Sequence, residues 1–280
     1  QIVENTDKQL LKLTREQANR LAMADENPRI MLKGSAGTGK TLLGLEYAWR
    51  SVLRNKKVLF LCFNRNLSRF LRLNLAKQSP GQMEGLHIDT LHGYLIDCLK
   101  KNNCLPAENG INKIAYYRHI IPDAFLKMLS RYGPPLNYDT LVIDEGQDLL
   151  RFDYILCMDA LLKDGMDNGT WYICFDPNQN IYNAEMNEGL SIVQDYHPVV
   201  LNLDTNCRNT RQISIYNVLA TAIPPSRYLK VGGEDVVREY YSSYDDERNK
   251  LIKSVKKLMS GGISPGKICL LSKYRFENSC

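Results

Sequence analysis

Six short apolar runs mark the chain, at residues 30–33, 58–63, 86–89, 140–143, 171–175 and 199–203. Each has the length of a strand buried on both faces, and polar or turn-forming residues bound it. Between the first two, Leu42, Leu45, Ala48, Trp49, Val52 and Leu53 recur on one helical face. After the second, Leu67, Phe70 and Leu71 do the same. Strands alternating with helices predict βαβ units, hence an α/β fold with a parallel sheet and helices on both faces. Such a sheet places its ligands outside the carboxyl ends of its strands.

Residues 94–130 break the rhythm. They read as helical, with an Asn-rich interruption at 102–109, and suggest an inserted subdomain. Gly133-Pro134-Pro135 then marks a turn before the next strand. A second boundary is expected between Cys207 and Tyr228, where Pro224-Pro225 interrupts the pattern. Beyond it residues 236–241 read as a strand. Asp245, Asp246 and Glu247 open a helix that Gly261 closes, and 267–271 read as another strand. Acid at the start of that helix, with Lys256 and Lys257 near its end, suits the helix dipole. A single strand–helix–strand is too small to close a sheet, so an incomplete second α/β domain is expected. The division that results is 1–93 and 136–206 for an ATP-binding domain, 94–135 for a helical insertion, and 207–280 for the start of a truncated second domain.

Composition changes this picture little. The 280-residue chain is 44% hydrophobic and 24% charged, as soluble globular proteins are. No apolar run approaches the length of a membrane span, and the first residues have neither the basic start nor the apolar stretch of a signal peptide. A net charge of +5 permits nucleic-acid binding without requiring it. The eight cysteines show no Cys-x-x-Cys spacing, and several lie within apolar runs. That argues against a zinc site or a disulfide framework, and for a cytoplasmic setting.

Gly34-Ser35-Ala36-Gly37-Thr38-Gly39-Lys40-Thr41 satisfies G-x-x-x-x-G-K-[ST] in full, between a predicted strand and a predicted helix. In that context backbone N–H groups of the loop and the helix N-terminus cradle phosphate. Lys40 reaches the β- and γ-phosphates of ATP, and the Thr41 hydroxyl is placed for Mg²⁺. The run 141–143 ends in Asp144-Glu145, two carboxylates at the mouth of the sheet. Asp144 is expected to hold Mg²⁺, and Glu145 to orient and deprotonate the attacking water. A pair that polarises water suits a hydrolase better than a small-molecule kinase.

Asp144-Glu145-Gly146-Gln147-Asp148 resembles the D-E-x-Q-D form found in UvrD/Rep-type (superfamily 1) helicases, and other segments match in that family's order. Leu13-Thr14-Arg15-Glu16-Gln17 resembles the Q motif, which implies Gln17 against adenine; Thr14 and Gln17 also fit a capping box. Cys62-Phe63-Asn64-Arg65 resembles motif Ia, and Asp89-Thr90-Leu91-His92 the T-F-H motif. The resemblance implies that Phe63, Asn64, Arg65, Thr90 and His92 meet single-stranded DNA or RNA. Residues 175–182 resemble motif III, which implies Gln179 as a γ-phosphate sensor and Tyr182 as a base-stacking ring. Residues 202–210 resemble motif IV, whose arginine at the γ-phosphate falls on Arg208.

The resemblance runs from Leu13 to about Ser279. It is strongest toward helicase-like proteins that often carry a nuclease-related domain. Cys207 replaces the usual tyrosine, Asn183-Ala184 replace Arg-Trp, and the later motifs of the second motor domain are absent from these residues. The family implies an ATP-driven helicase or translocase. The alternative is a nucleotide-gated nucleic-acid-binding or regulatory module that does not unwind.

Overall fold

The computed structural model describes residues 15–78, 84–108, 110–133, 137–179, 184–221, 227–228 and 232–272. Six strands form one sheet: β1 (Arg29–Gly34), β2 (Val58–Cys62), β3 (Leu86–Thr90), β4 (Thr140–Ile143), β5 (Thr170–Phe175) and β6 (Val199–Leu203). Their order is β3-β2-β4-β5-β1-β6. Every neighbouring pair is parallel, with Leu32 opposite Cys174 and Ile143 opposite Ile173. All six strands expected from the apolar runs are present, and the fold is the α/β P-loop NTPase fold.

Alternation along the central strands β2, β4 and β5 explains why their runs are apolar almost throughout, whereas the outer strands β3 and β6 bury alternate positions only. Leu59, Leu61, Leu141, Ile143, Trp171 and Ile173 belong to one core. Their neighbours Val58, Phe60, Val142, Tyr172 and Cys174 belong to another on the opposite face. Successive side chains point to opposite sides of a sheet, so a strand covered on both sides must be apolar at every position.

The second core is closed by α1 (Arg15–Asp25), through Leu21 and Ala24, and by α2 (Lys40–Leu53), through Leu43, Tyr47 and Ala48. Tyr47 stacks on Tyr172 with ring centroids 4.7 Å apart. Helix α3 (Arg65–Gln78) follows β2. The first core is closed by α4 (Leu91–Lys101) and α5 (Ile121–Tyr132), and by α7 (Phe152–Leu161) beyond the single turn α6 (Gly146–Leu149). The helices of 94–135 share this core, with Leu95, Leu99, Ile121, Phe125 and Met128 buried in it; α4 meets β3, and α5 packs on α4 and α7. A π-helical stretch, Tyr116–Ile120, leads into α5.

A one-turn helix α8 (Gly165–Asn168) precedes β5, and α9 (Ala184–Asp195) leads to β6. After the sheet come a short parallel pair, β7 (Thr205–Asn206) with β8 (Arg227–Tyr228), and α10 (Arg211–Thr221).

A second unit begins at Glu234. It contains α11 (Tyr244–Ser260), capped by the Ser243 hydroxyl, which accepts from the Asp246 N–H at 3.2 Å. The strands expected at 236–241 and 267–271 do not form; a 3₁₀ turn, Pro265–Lys267, stands just after α11. A strand persists only where a neighbour takes up its N–H and C=O groups. Neither segment has one among the described residues. No described helix is long and apolar enough to cross a membrane.

Candidate functional site

Strands β4, β5 and β1 are adjacent, so the segments that follow them meet at one edge of the sheet. The loop after β1 wraps the N-terminus of α2, whose first turn carries no acid. That leaves the positive end of the helix dipole for an anion. Gly37 has φ 83°, and a Cβ there would sit 2.6 Å from the Asn206 Oδ1. The loop therefore needs glycine both for its backbone angle and for the approach of Asn206.

The Lys40 ammonium is buried. It donates to the carbonyls of Gly34 at 2.8 Å and Ser35 at 3.1 Å, and lies 3.9 Å from the Asp176 carboxylate. The Thr38 hydroxyl donates to the Ser35 carbonyl, and the Asn178 amide to the Ser35 hydroxyl. Ala36 accepts from the Asn206 amide, and Gly37 from the Cys207 N–H at 2.9 Å. Gln17 is buried, and its Nε2 donates to the Thr38 carbonyl at 2.8 Å. It thus braces the phosphate loop from α1. Thr14 lies outside the described residues.

Asp144, just after β4, is fully buried, and neither carboxylate oxygen has a partner of hydrogen-bonding geometry. Burial pushes its pKa from the ordinary 3.8 up to about 6, although the neighbouring Thr41 hydroxyl works the other way. A dry carboxylate with two open oxygens, next to a hydroxyl and a phosphate-type loop, fits a divalent cation. Mg²⁺ takes only one or two such protein ligands and leaves its other positions to phosphate and water.

Unpaired burial has a stability signature. Between 3.8 and about 6 the folded chain binds more protons than the unfolded one, so stability falls as pH rises through that window. Near neutrality the ionised carboxylate is a standing cost. Asp144→Asn is therefore expected to raise the stability of the ligand-free chain near pH 7 by about 1–2 kcal/mol. The same change should flatten its pH dependence and abolish Mg²⁺-dependent nucleotide binding. Denaturant titration at two pH values, with nucleotide binding measured in parallel, checks this. A less stable variant would show that the carboxylate is paired in solution.

Glu145 follows with φ 55° and ψ 49°, a left-handed conformation for a residue that is not glycine. Gly146 then packs on β5; a Cβ there would sit 2.9 Å from Ile173 Cγ2 and 3.0 Å from the Cys174 carbonyl. The sharp turn aims two side chains at the phosphate edge. Gln147 is buried, and its Nε2 donates to Glu145 Oε2 at 2.6 Å and to Gln179 Oε1 at 3.3 Å. Its Oε1 accepts from the Asp176 N–H at 3.0 Å. Gln179 in turn donates to Asp176 Oδ2 at 2.9 Å. Glu145, Gln147, Gln179, Asp176 and Lys40 thus form one chain of contacts across β4, β5 and β1.

Three of the expected catalytic residues, Lys40, Glu145 and Gln179, are joined in this way. Arg208 is held differently: its N–H donates to Asn206 Oδ1 at 3.1 Å, and its side chain is exposed. Gln147, Asp176 and Asn206 lay inside the motif windows, but spacing alone gives them no role. Their polarity at buried positions was the available signal.

The residues expected to meet a strand gather elsewhere. Phe63, Arg65, Thr90 and His92 line one open cleft of about 440 Å³. Phe63 is 51% exposed. Thr90 is buried and spends its hydroxyl capping α4, accepting from the Gly93 N–H at 3.1 Å. Asn64 does not line the cleft; its Oδ1 accepts from the N–H groups of Asn66 and Leu67 at the start of α3. His92 is bonded to the Tyr154 hydroxyl at 3.0 Å, and burial lowers its pKa, so its ring is neutral near pH 7. Tyr182 lies outside the described residues.

No family model matches the chain, and no curated protein does. Among solved structures it is similar to Bacteroides Pif1 bound to single-stranded DNA, with TM-score 0.38 and 16% identity over 75% of this chain and 46% of that one. A structure of two coordinating Pif1 helicases at forked DNA gives TM-score 0.40 and 15% identity, over 75% and 48% of the two chains. AMPPCP-bound DnaA from Aquifex aeolicus gives TM-score 0.38 and 12% identity, over 92% and 67%. The chain spans about half the length of the Pif1 structures it matches.

Proposed function

We propose that this chain is the ATP-binding and ATP-hydrolysing motor portion of a helicase or translocase of the UvrD/Rep type, working on single-stranded DNA or RNA. The observation that carries the reading is the continuous contact chain from Glu145 through Gln147, Gln179 and Asp176 to Lys40. It joins a candidate base to a phosphate-type loop. A loop that bound nucleotide only as a structural prop would need no carboxylate positioned in this way.

In this reading the loop amides and Lys40 bind the phosphates. Thr41 and Asp144 would hold Mg²⁺, which would supply positive charge beside the bound phosphates. Glu145 takes the proton of the water that attacks the γ-phosphorus as the bond to the β-phosphate oxygen breaks. Gln147 holds the Glu145 carboxylate in place, and Gln179 stands between that carboxylate and Asp176. Arg208, on its exposed arm, would be brought to the γ-phosphate by closure and stabilise developing charge there. A nuclease-related domain or subunit is a further partner that the sequence resemblance suggests.

The test is Mg²⁺-dependent ATP hydrolysis by the purified chain with and without single-stranded DNA. Turnover stimulated at least about tenfold by the strand is the expected result. Nucleotide binding without turnover, in either condition, would move the assignment to a nucleotide-gated module that does not unwind.

A further inference from the structure

Every carbonyl of the phosphate loop from Gly34 to Thr38 accepts a hydrogen bond. A loop whose N–H groups converge on an anion turns its carbonyls outward, and each of them then needs a donor. Lys40 donates to Gly34 and Ser35, and the Thr38 hydroxyl donates to Ser35 as well. The carbonyls at the apex are served by distant elements: Ala36 by the Asn206 amide at 3.3 Å, Gly37 by the Cys207 N–H at 2.9 Å, and Thr38 by Gln17. Two of these donors are consecutive residues just after β6, next to Arg208.

Strand order brings them there. β6 runs parallel beside β1, with Leu203 opposite Gly34, so the segment after β6 passes beside the loop after β1. Pairing of β7 with β8 then holds the Asn206 backbone, opposite Tyr228. Asn206 is buried. Its amide reaches the loop because Gly37 has no side chain; a Cβ there would sit 2.6 Å from Oδ1 and 2.8 Å from Nδ2.

Both ends of that amide are engaged. Nδ2 donates to the Ala36 carbonyl, while Oδ1 accepts from the N–H groups of Arg208 at 3.1 Å and Asn209 at 3.0 Å. The partners fix its orientation: flipped, the amide would set its NH₂ against two N–H groups and its oxygen against a carbonyl. Aspartate would keep the acceptor and lose the donor, and alanine would lose both. One planar group thus joins the apex of the loop to the backbone of the residue proposed to meet the γ-phosphate. We propose that Asn206 is a positioning residue that couples the phosphate loop to Arg208: a filled loop fixes the amide, and the amide fixes the Arg208 backbone. The inference rests on the nucleotide-binding part of the function proposed above and needs no hydrolysis.

The path runs through rigid units. The Ala36 carbonyl shares a peptide plane with the Gly37 N–H, and the Gly37 carbonyl shares one with the Thr38 N–H. An anion that orders those N–H groups therefore orders the carbonyls on the far side, and ordering of this kind reaches a second site without a large movement. The Cys207 N–H feels the loop directly, because it donates to Gly37. The Arg208 and Asn209 N–H groups feel it through the Asn206 side chain.

The experiment is hydrogen exchange resolved to single amides, with and without saturating ADP, alongside binding of a fluorescent ADP analogue. Wild type is compared with Asn206→Asp, which keeps the shape of the side chain, and with Asn206→Ala. In the wild type, ADP should slow exchange at the Cys207, Arg208 and Asn209 N–H groups by about tenfold or more. In Asn206→Asp the slowing should persist at Cys207, which also shows that the variant is folded, and disappear at Arg208 and Asn209, although the carboxylate still accepts from both. ADP affinity should fall by about fivefold or more in both variants, since the Ala36 carbonyl loses its donor. At about 0.5 M salt, where an added surface charge is largely screened, Asn206→Asp should still bind more weakly than wild type. Wild-type affinity in Asn206→Asp, or an ADP effect kept at its Arg208 and Asn209 amides, would reduce Asn206 to a cap of its own turn and overturn the proposal. A wild-type chain that binds ADP with no change at Arg208 and Asn209 would also overturn it, and would leave the nucleotide site standing. A wild-type chain that binds no ADP would sink the nucleotide site itself.

Discussion

Glu145→Gln is expected to leave nucleotide affinity within about twofold and to lower strand-stimulated ATP turnover by about 100- to 10,000-fold, the range for loss of a positioned general base. The carboxylate is fixed by a left-handed backbone at Glu145 and by a 2.6 Å hydrogen bond from Gln147. Glutamine keeps the volume and one acceptor oxygen but cannot take a proton. Binding uses the loop amides and Lys40, which the substitution does not touch. Single-turnover hydrolysis, with affinity measured on the same preparation, separates the two quantities. Turnover near wild type would remove Glu145 from the role of base and shift attention to a water held by Gln147 or Gln179.

The contact chain also explains why a conformation so costly for a non-glycine residue is tolerated there. A left-handed residue costs about 1–3 kcal/mol and persists only where its surroundings over-determine it. Gly146 is packed against β5, Asp144 donates its N–H to the Leu61 carbonyl at 2.8 Å, and Gln147 is tied to both Glu145 and the Asp176 backbone. Stability is spent at the sheet edge to hold one carboxylate in one place. The unpaired burial of Asp144 next to it is a second cost of the same kind, and both sit where the proposed chemistry needs them.

How much of this was legible in the sequence depended on which force set each feature. The sheet was fully legible. The central strands β2, β4 and β5, covered on both faces, cannot be written without apolar runs, the outer strands β3 and β6 keep apolar residues only at alternate buried positions, and the glycine loop announced its own place between β1 and α2. The second unit was misread in part. Residues 236–241 have the alternation of a strand, but a strand is completed by its neighbour, and sequence pattern says nothing about whether a neighbour is there. The insertion was legible as helix. Its share in the core was not, because an apolar helical face does not name the surface that covers it. At the candidate site, spacing singled out residues whose proposed roles are local: Lys40, Asp144 and Glu145. It did not give roles to Gln147, Asp176 or Asn206, whose partners lie up to 170 positions away in the chain. Asn64 and Thr90 show the opposite limit. Their side chains match a strand-contacting motif, and each is engaged by the first turn of the helix that follows it.

Lys40→Ala is expected to lower nucleotide affinity by about 100-fold or more, since a charge-assisted contact to phosphate contributes about 1.5–3 kcal/mol. More than one contact is at stake. The ammonium is already buried and held by two loop carbonyls, so it meets an incoming phosphate with little further ordering. It also stands 3.9 Å from the buried Asp176 carboxylate. Without the lysine the phosphate position loses its ammonium while the Asp176 side chain stays beside it. Thermal unfolding reads this directly. Mg²⁺ and nucleotide at about 100 times the dissociation constant should stabilise the wild-type chain by about 2.7 kcal/mol, and the variant should gain almost nothing at the same concentration. An equal gain in both proteins would mean that the phosphates do not sit on this loop, and the roles given to Asp144, Glu145 and Gln179 would lose their common reference point.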